Sequence, residues 1–306
     1  MKWGYAVRFA ITGIMLVSAC RDRSREARET DRTSLPPIFP KGPAGSTDWN
    51  ADAGAVILVR SGNTDDSAAV VMPDVTDSTI SSLNGITPAL NAVTVDLFGR
   101  SGKIESRVPL TVVSGVDTTE GCFTWPAARL RQAHPGWSVA FATGRVTPVV
   151  LDSIEGKSSV DSAALAVSLT QSAATLPATS DPSFRGLPFR IRSAFTFRFD
   201  SVDAVVADVV RSVNEEANPR LEHLLLVGEK PMGTPGKYSV AYYHRTAGAE
   251  ESTQVTEVLA VILLGADKHP AAVLNVEYGD GGRFGLLERT QQGQWHTTWR
   301  SAYTGC

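Results

Sequence analysis

From Ala55 to the carboxyl end, apolar side chains come in short runs, and turn residues break nearly every run before it grows long. This patterning constrains the fold more than any other feature, because short apolar runs bounded by Gly, Asp, Asn and Pro are strand material. In "PFRIRSAFTFRFD", Phe189, Ile191, Phe195, Phe197 and Phe199 fall on one side of a period of two, with Arg190, Arg192, Thr196 and Arg198 on the other. That predicts a half-buried strand with a row of three arginines on its polar face. "NAVTVDLFGRSGKIESRVPLTVV" reads as a hairpin, with Val93, Val95 and Leu97 alternating before "GRSGK" and Val108, Leu110 and Val112 after it. "AVILVR" predicts a further strand, and "WSVAFATG" with "VTPVVLDS" predicts a strand pair. The runs "HLLLVGE", "YSVAYYHR", "VTEVLAVILL", "AAVLNVEY", "RFGLLERT" and "WHTTWRSAY" follow with turn-like connectors, of which "YGDGGRF" is the clearest hairpin. They predict an antiparallel meander. No repeat of fixed period occurs, which argues against a propeller or solenoid.

Two segments depart from this texture and predict amphipathic helices. Ser159 to Leu176 lacks Gly and Pro, is rich in Ala and Leu, opens with serines able to cap a helix, and is stopped by Pro177. In "DSVDAVVADVVRSVNEEANP", Val202, Val205, Val206, Val209, Val210 and Val213 recur at the spacing of one helical face. Asp200 or Ser201 would cap this helix, Asp203 would sit near its positive end, and Asn218-Pro219 would end it. The expected fold class is therefore α+β, mostly β. It has antiparallel sheets with two amphipathic helices packed on one face, and a C-terminal half built as a helix followed by a meander. Residues 55–152 form a β-rich N-terminal region and residues 153–306 an α+β C-terminal region, as two domains or one continuous body.

The amino terminus carries a separate message. Lys2 and Arg8 precede an uncharged, mostly apolar stretch from Phe9 to Ala19, shorter than the ~20 residues a membrane-spanning helix needs. Small residues then lead to a cysteine in "VSAC", Val17 to Cys20. This run resembles the lipobox of bacterial lipoproteins, and the resemblance covers only the first twenty residues. It implies that residues 1–19 are a cleaved signal peptide and that Cys20 becomes the acylated first residue of the mature chain. Several acyl chains give a stable membrane anchor where one gives marginal binding. Arg21 stands where an Asp would favour inner-membrane retention, which points to the outer membrane, facing the periplasm. Five arginines and four acidic residues fill Arg21–Arg32, and a Pro- and Gly-rich stretch follows. Neither can bury enough surface to offset its ordering entropy, so residues 20–54 read as a tether.

Without Lys2 and Arg8 the chain carries 27 basic and 32 acidic side chains, and no global field favours nucleic acid. Besides Cys20, the cysteines are Cys122 and Cys306; an oxidising compartment predicts a disulfide between them, with free thiols or intermolecular pairing as the alternatives. No GxSxG elbow or HExxH spacing is present. His134, His223, His244, His269 and His296 are scattered, although His223, His244 and His296 lie on predicted strands that could bring them to one metal. Asp65, Asp66, Asp74 and Asp77 offer oxygen ligands without EF-hand spacing, so no metal or cofactor is expected. "GTPGKY" and "GDGGRFG" lack a following helix and read as hairpin turns rather than phosphate loops. Trp295, Trp299 and Tyr303, spaced by four, would share one strand face and pack in the core near Cys306, with sugar stacking as the alternative.

These features predict a lipid-anchored cell-envelope protein, a non-enzymatic binding or scaffolding module held to the membrane by its acylated cysteine. Arg190, Arg192 and Arg198 are its candidate partner-binding residues, for an envelope protein, phosphate groups or lipid heads. The alternatives are a hydrolase whose site is assembled from distant residues and a carrier for a lipid or small ligand.

Overall fold

The computed structural model of the 306-residue chain describes residues 58–71, 91, 93–115, 124–214, 218–264, 268–279, 281–290, 293–301 and 303–305. Cys20, Cys122 and Cys306 lie outside the described residues, as do the signal peptide and the tether.

Six strands close into a barrel: β1 (Leu58–Arg60), β2 (Ser67–Val70), β3 (Thr94–Gly99), β4 (Gly102–Val112), β5 (Ala127–Leu130) and β6 (Val139–Ala142), in the order β1-β2-β5-β4-β3-β6. The β3–β4 hairpin turns through Arg100 and Ser101, with Gly99 opposite Gly102. A Cβ on Gly99 would lie 2.4 Å from the Gly136 carbonyl oxygen, so this corner accepts only glycine. Trp137, Phe98 and Phe141 fill the barrel with aliphatic side chains from all six strands.

Ten strands, one α-helix and three short 3-10 turns complete the described body. The strands and the α-helix are β7 (Val146–Val149), β8 (Asp152–Ser153), α1 (Ser159–Thr175), β9 (Arg190–Phe199), β10 (Val202–Val213), β11 (Arg220–Pro231), β12 (Ser239–Ala249), β13 (Val255–Leu264), β14 (His269–Tyr278), β15 (Gly281–Arg289) and β16 (Trp295–Arg300). An inner antiparallel sheet has the order β16-β15-β14-β13-β7, and an outer one has the order β12-β11-β10-β9-β8. The inner sheet is buried on both sides. Ala260, Ile262, Val273, Leu286 and Trp299 pack with the barrel, while Val258, Val261, Leu274, Leu287 and Trp295 pack with the outer sheet. The outer sheet carries α1 on its far face through Leu169 and Ala173. Barrel, sheet, sheet and helix are thus successive layers.

The layering corrects the expected fold class. The described residues are mostly strand and hold one α-helix, α1, capped by the Ser158 hydroxyl accepting from the Asp161 N–H. The second expected helix is instead β10, hydrogen-bonded on both sides, to β9 and β11. Its turn from β9 is the pair Asp200-Ser201, with Asp200 at φ 46°, a left-handed conformation that aspartate tolerates. Val205, Ala207 and Val209 face the helix-side core, and Ala204 and Val206 face the intersheet core. A strand buried on both faces has no need for a period of two, so valines can fall at helical spacing by coincidence. Side-chain chemistry decides the outcome: β-branched valine is a weak helix former, and burying each one contributes about 1.5–3 kcal/mol here.

Two strand bulges reassign faces that simple alternation would join. Between β9 and β10 the register passes from Ser193–Asp208 to Ile191–Val209, leaving Arg192 as the extra residue. Phe189 and Ile191 therefore pack on the helix side, whereas Phe195, Phe197 and Phe199 pack between the sheets. Between β15 and β16 the extra residue is Thr298, which sends Trp295 to the intersheet core and Trp299 to the barrel side. The two tryptophans do not share a face. Nor do β6 and β7 pair with each other: β6 closes the barrel against β1 and β3, and β7 joins the inner sheet against β13.

Candidate functional site

The arginine row is dispersed by the bulge at Arg192. Arg198 borders a groove beside α1 and is held by Asp203, with Nε donating to Oδ1 at 2.8 Å. The Arg192 Nε lies 3.7 Å from Asp208 Oδ2, and Arg190 Nη2 donates to the Ser212 hydroxyl at 3.3 Å. Each of the three has a partner on β10. They offer no continuous basic patch.

The deeper arrangement lies between the two sheets. Asp208 on β10 and His223 on β11 face the intersheet layer and are buried, with His223 Nε2 2.8 Å from Asp208 Oδ1. The Thr256 backbone nitrogen also approaches the same Nε2, at 3.3 Å. The Thr256 N–H donates to Nε2, so this nitrogen is an acceptor, and Asp208 Oδ1 lies close to it without a hydrogen bond. His223 Nδ1 and Asp208 Oδ1 are both buried without a hydrogen-bond partner among the described residues.

Diagonally across on β12, where Leu225 pairs with His244, the imidazole of His244 reaches an open cleft. This cleft, lined from both sheets, holds about 160 Å³. The outer sheet contributes Tyr242 and His244, and the inner sheet contributes Thr256, Arg283, Thr297 and Arg300. Leu225, Leu274 and Val276 form its apolar floor. Register explains the convergence: Arg283, Gly285, Thr297 and the exposed Arg300 fall on the same face because the Thr298 bulge places Arg300 opposite Gly285. Gly285 leaves room there that a side chain would fill.

Among the described residues no carboxylate lines the cleft. Its ionisable groups there are two guanidinium groups, one imidazole and the Tyr242 phenol. Burial, the Arg300 charge and nearby His223 together hold the His244 imidazole below its usual range, in that order of weight. At neutral pH His244 is therefore uncharged, able to donate from one nitrogen and accept at the other. Such a lining can receive an anion with charge-assisted hydrogen bonds.

Of the three histidines that the strand pattern could bring together, His223 and His244 are neighbours on one sheet face. His296 is on β16 beside Trp295, exposed and on the opposite side of the inner sheet from the cleft. Among the described residues no group of three or more His, Cys, Asp or Glu side chains is placed to hold a metal ion. Asp65 pairs with Arg60 and Asp66 approaches Arg129, while Asp74 and Asp77 lie outside the described residues. "GTPGKY" and "GDGGRFG" occur at the β11–β12 and β14–β15 connections.

Sequence reading missed Asp208, Arg283, Arg300 and Thr256. One signal was present: Asp208 interrupts the run "AVVADVV", and Glu222-His223 directly precedes "LLLV". Charged groups inside apolar runs must find buried partners. The arginines had no such mark, since their placement depends on a bulge. A further charged cluster ties the sheets together elsewhere: Glu229 accepts from Arg289 Nε and Nη2 at 2.7 and 2.9 Å and from the Trp295 indole. Phe197 and Phe199 pack edge-on against that indole, which assigns Trp295 to the core.

Comparison with known proteins finds no matching family model, no similar curated protein and no similar solved structure.

Proposed function

We propose that this chain is a lipid-anchored binding protein of the bacterial cell envelope, attached through acylated Cys20 to the outer membrane and facing the periplasm. Its β body takes a small anionic ligand into the cleft between the sheets. The observation that carries the ligand reading is the composition of the cleft: Arg283, Arg300 and His244 converge on it, and its lining among the described residues holds no carboxylate. The leucine and valine floor lowers the local dielectric, which strengthens each charge-assisted bond. The address rests on the "VSAC" run and on the charged, Pro-rich tether that follows it.

Two experiments test the two halves separately. Intact mass of the protein from bacterial membranes, with free thiols blocked before any reduction, is expected to show a chain starting at Cys20 with acyl mass. It is also expected to show no blocked thiol, as a Cys122–Cys306 disulfide requires. An unacylated chain refutes the anchor. Titration with inorganic phosphate is expected to show saturable binding that Arg300→Gln weakens by about tenfold or more. Unchanged affinity in that variant refutes the cleft.

A second reading has one observation in its favour. His244 is kept neutral beside a guanidinium group, with the Asp208–His223 pair behind it, and a neutral imidazole can take a proton from water. In that hydrolase, Arg300 would stabilise negative charge developing on the substrate. Turnover of an anionic ester that His244→Gln abolishes would favour this reading over simple binding.

A further inference from the structure

A second cavity, of about 470 Å³, lies beneath the C-terminal half of α1, between the helix, the Gly186–Phe189 segment and the outer sheet. This is within the ~300–1,000 Å³ usual for small-molecule sites. Two arginines form its polar end: Arg211 on β10 and Arg245 on β12, with side chains 11% and 10% exposed. Both bind one carboxylate, Glu222 on β11, whose side chain is fully buried. Arg211 Nε donates to Glu222 Oε2 at 2.7 Å, and Arg245 Nη1 donates to Oε1. The Phe189 ring lies 4.5 Å from the Arg211 guanidinium and 5.6 Å from that of Arg245.

Among the described residues the charges in this cluster do not balance. Two cations share one anion in a place largely removed from water, where an unpaired charge is costly. Backbone carbonyls absorb part of the excess: Arg211 Nη1 donates to the Leu187 oxygen at 3.3 Å and Arg245 Nη2 to the Ala173 oxygen at 3.4 Å. The Ala173 carbonyl belongs to the last turn of α1, whose dipole supplies roughly half a negative charge. Among the described residues positive charge is left in excess. Arg245 Nε is buried without a hydrogen-bond partner. Securing the helix end would need one arginine and one carboxylate, so the second guanidinium is left over by that role. Ala174, Leu176, Leu187, Pro188 and Phe189 give it an apolar wall, and Thr170 and Gln171 also line it.

We infer that this cavity is a second binding site, for a single-chain amphiphile with a carboxylate head. The head completes the charge balance at Arg211 and Arg245, and the chain lies along Leu176, Leu187 and Phe189 under α1. This site is separate from the intersheet cleft and does not depend on it.

The test uses the whole chain carrying Cys20→Ala, so that no acyl group is attached, with dodecanoate and dodecanol as calorimetric probes. Dodecanoate is expected to bind at one site, and dodecanol, equal in chain but uncharged, about tenfold or more weaker. Ala174→Phe fills the cavity from an exposed helix position without touching the arginines. It is expected to weaken dodecanoate about tenfold or more while the melting temperature stays unchanged. Arg300→Gln, in the other cleft, is expected to leave dodecanoate binding as it was. Equal binding of dodecanol overturns the carboxylate assignment. Unchanged dodecanoate affinity in Ala174→Phe overturns the location. Binding seen only with phosphatidylglycerol vesicles, and not with dodecanoate, overturns the site in favour of a membrane-contact surface.

Discussion

Replacing Glu222 by Gln keeps the shape of the side chain and removes its charge. The carboxylate is fully buried, and the two guanidinium groups it holds are about nine-tenths buried. Breaking a buried ion pair by removing one partner costs about 3–5 kcal/mol, because the remaining charge is left unpaired. Here two cations lose their common anion, which places Glu222→Gln at the upper end, about 5 kcal/mol. With a urea m-value of about 3 kcal/mol/M, the midpoint falls by about 1.7 M. The same reasoning makes a second statement. Replacing all three residues together, Arg211→Met, Glu222→Leu and Arg245→Met, removes both the attraction and the desolvation cost, and is expected to lie within about 2 kcal/mol of wild type. Urea unfolding followed by tryptophan fluorescence reads both. A Glu222→Gln midpoint within about 0.3 M of wild type would refute the reasoning, because it would mean that water reaches the cluster and screens it.

Two further results follow from the layers and the cleft. Ala207 is 1% exposed on the strand face under α1, but would sit on the outer side of a helix that buried Val205, Val206 and Val209, so Ala207→Asp is expected to cost several kcal/mol in urea unfolding; an unaffected midpoint would restore the helix. His244 is held below its usual range by burial, Arg300 and His223, so the unfolded chain takes up this proton first on acidification. Its contribution to stability is complete above about pH 6.5 and declines as pH falls below that value, so urea midpoints from pH 8 to pH 5 should fall less in His244→Gln than in wild type.

Much of the strand framework is legible in the residues, since alternation and turn chemistry are local properties. The β3–β4 hairpin and the runs that become β11 to β16 can be read directly, as can the extent of α1 with its serine cap and its stop at Pro177. The double burial of β10 cannot. Whether a valine-rich run is a helix covering a sheet or a strand inside one depends on what lies on its second face, which is decided by residues far along the chain. The bulges at Arg192 and Thr298 are equally silent. Each is one residue of slippage, yet one disperses the arginine row and the other places Arg300 at the cleft. The candidate site depends on that second slip, whereas its buried half, Asp208 and His223, is marked by charge within apolar runs.

The most direct test of the anion cleft is to titrate the histidine side chains by NMR, with and without inorganic phosphate, assigning His244 from the signal lost in His244→Gln. A bound anion offsets the Arg300 charge and favours the imidazolium, so phosphate is expected to raise the His244 midpoint in wild type and to leave it unmoved in Arg300→Gln. A His244 midpoint that phosphate does not move in wild type, at concentrations where calorimetry shows binding, would put the anion elsewhere and contradict the account.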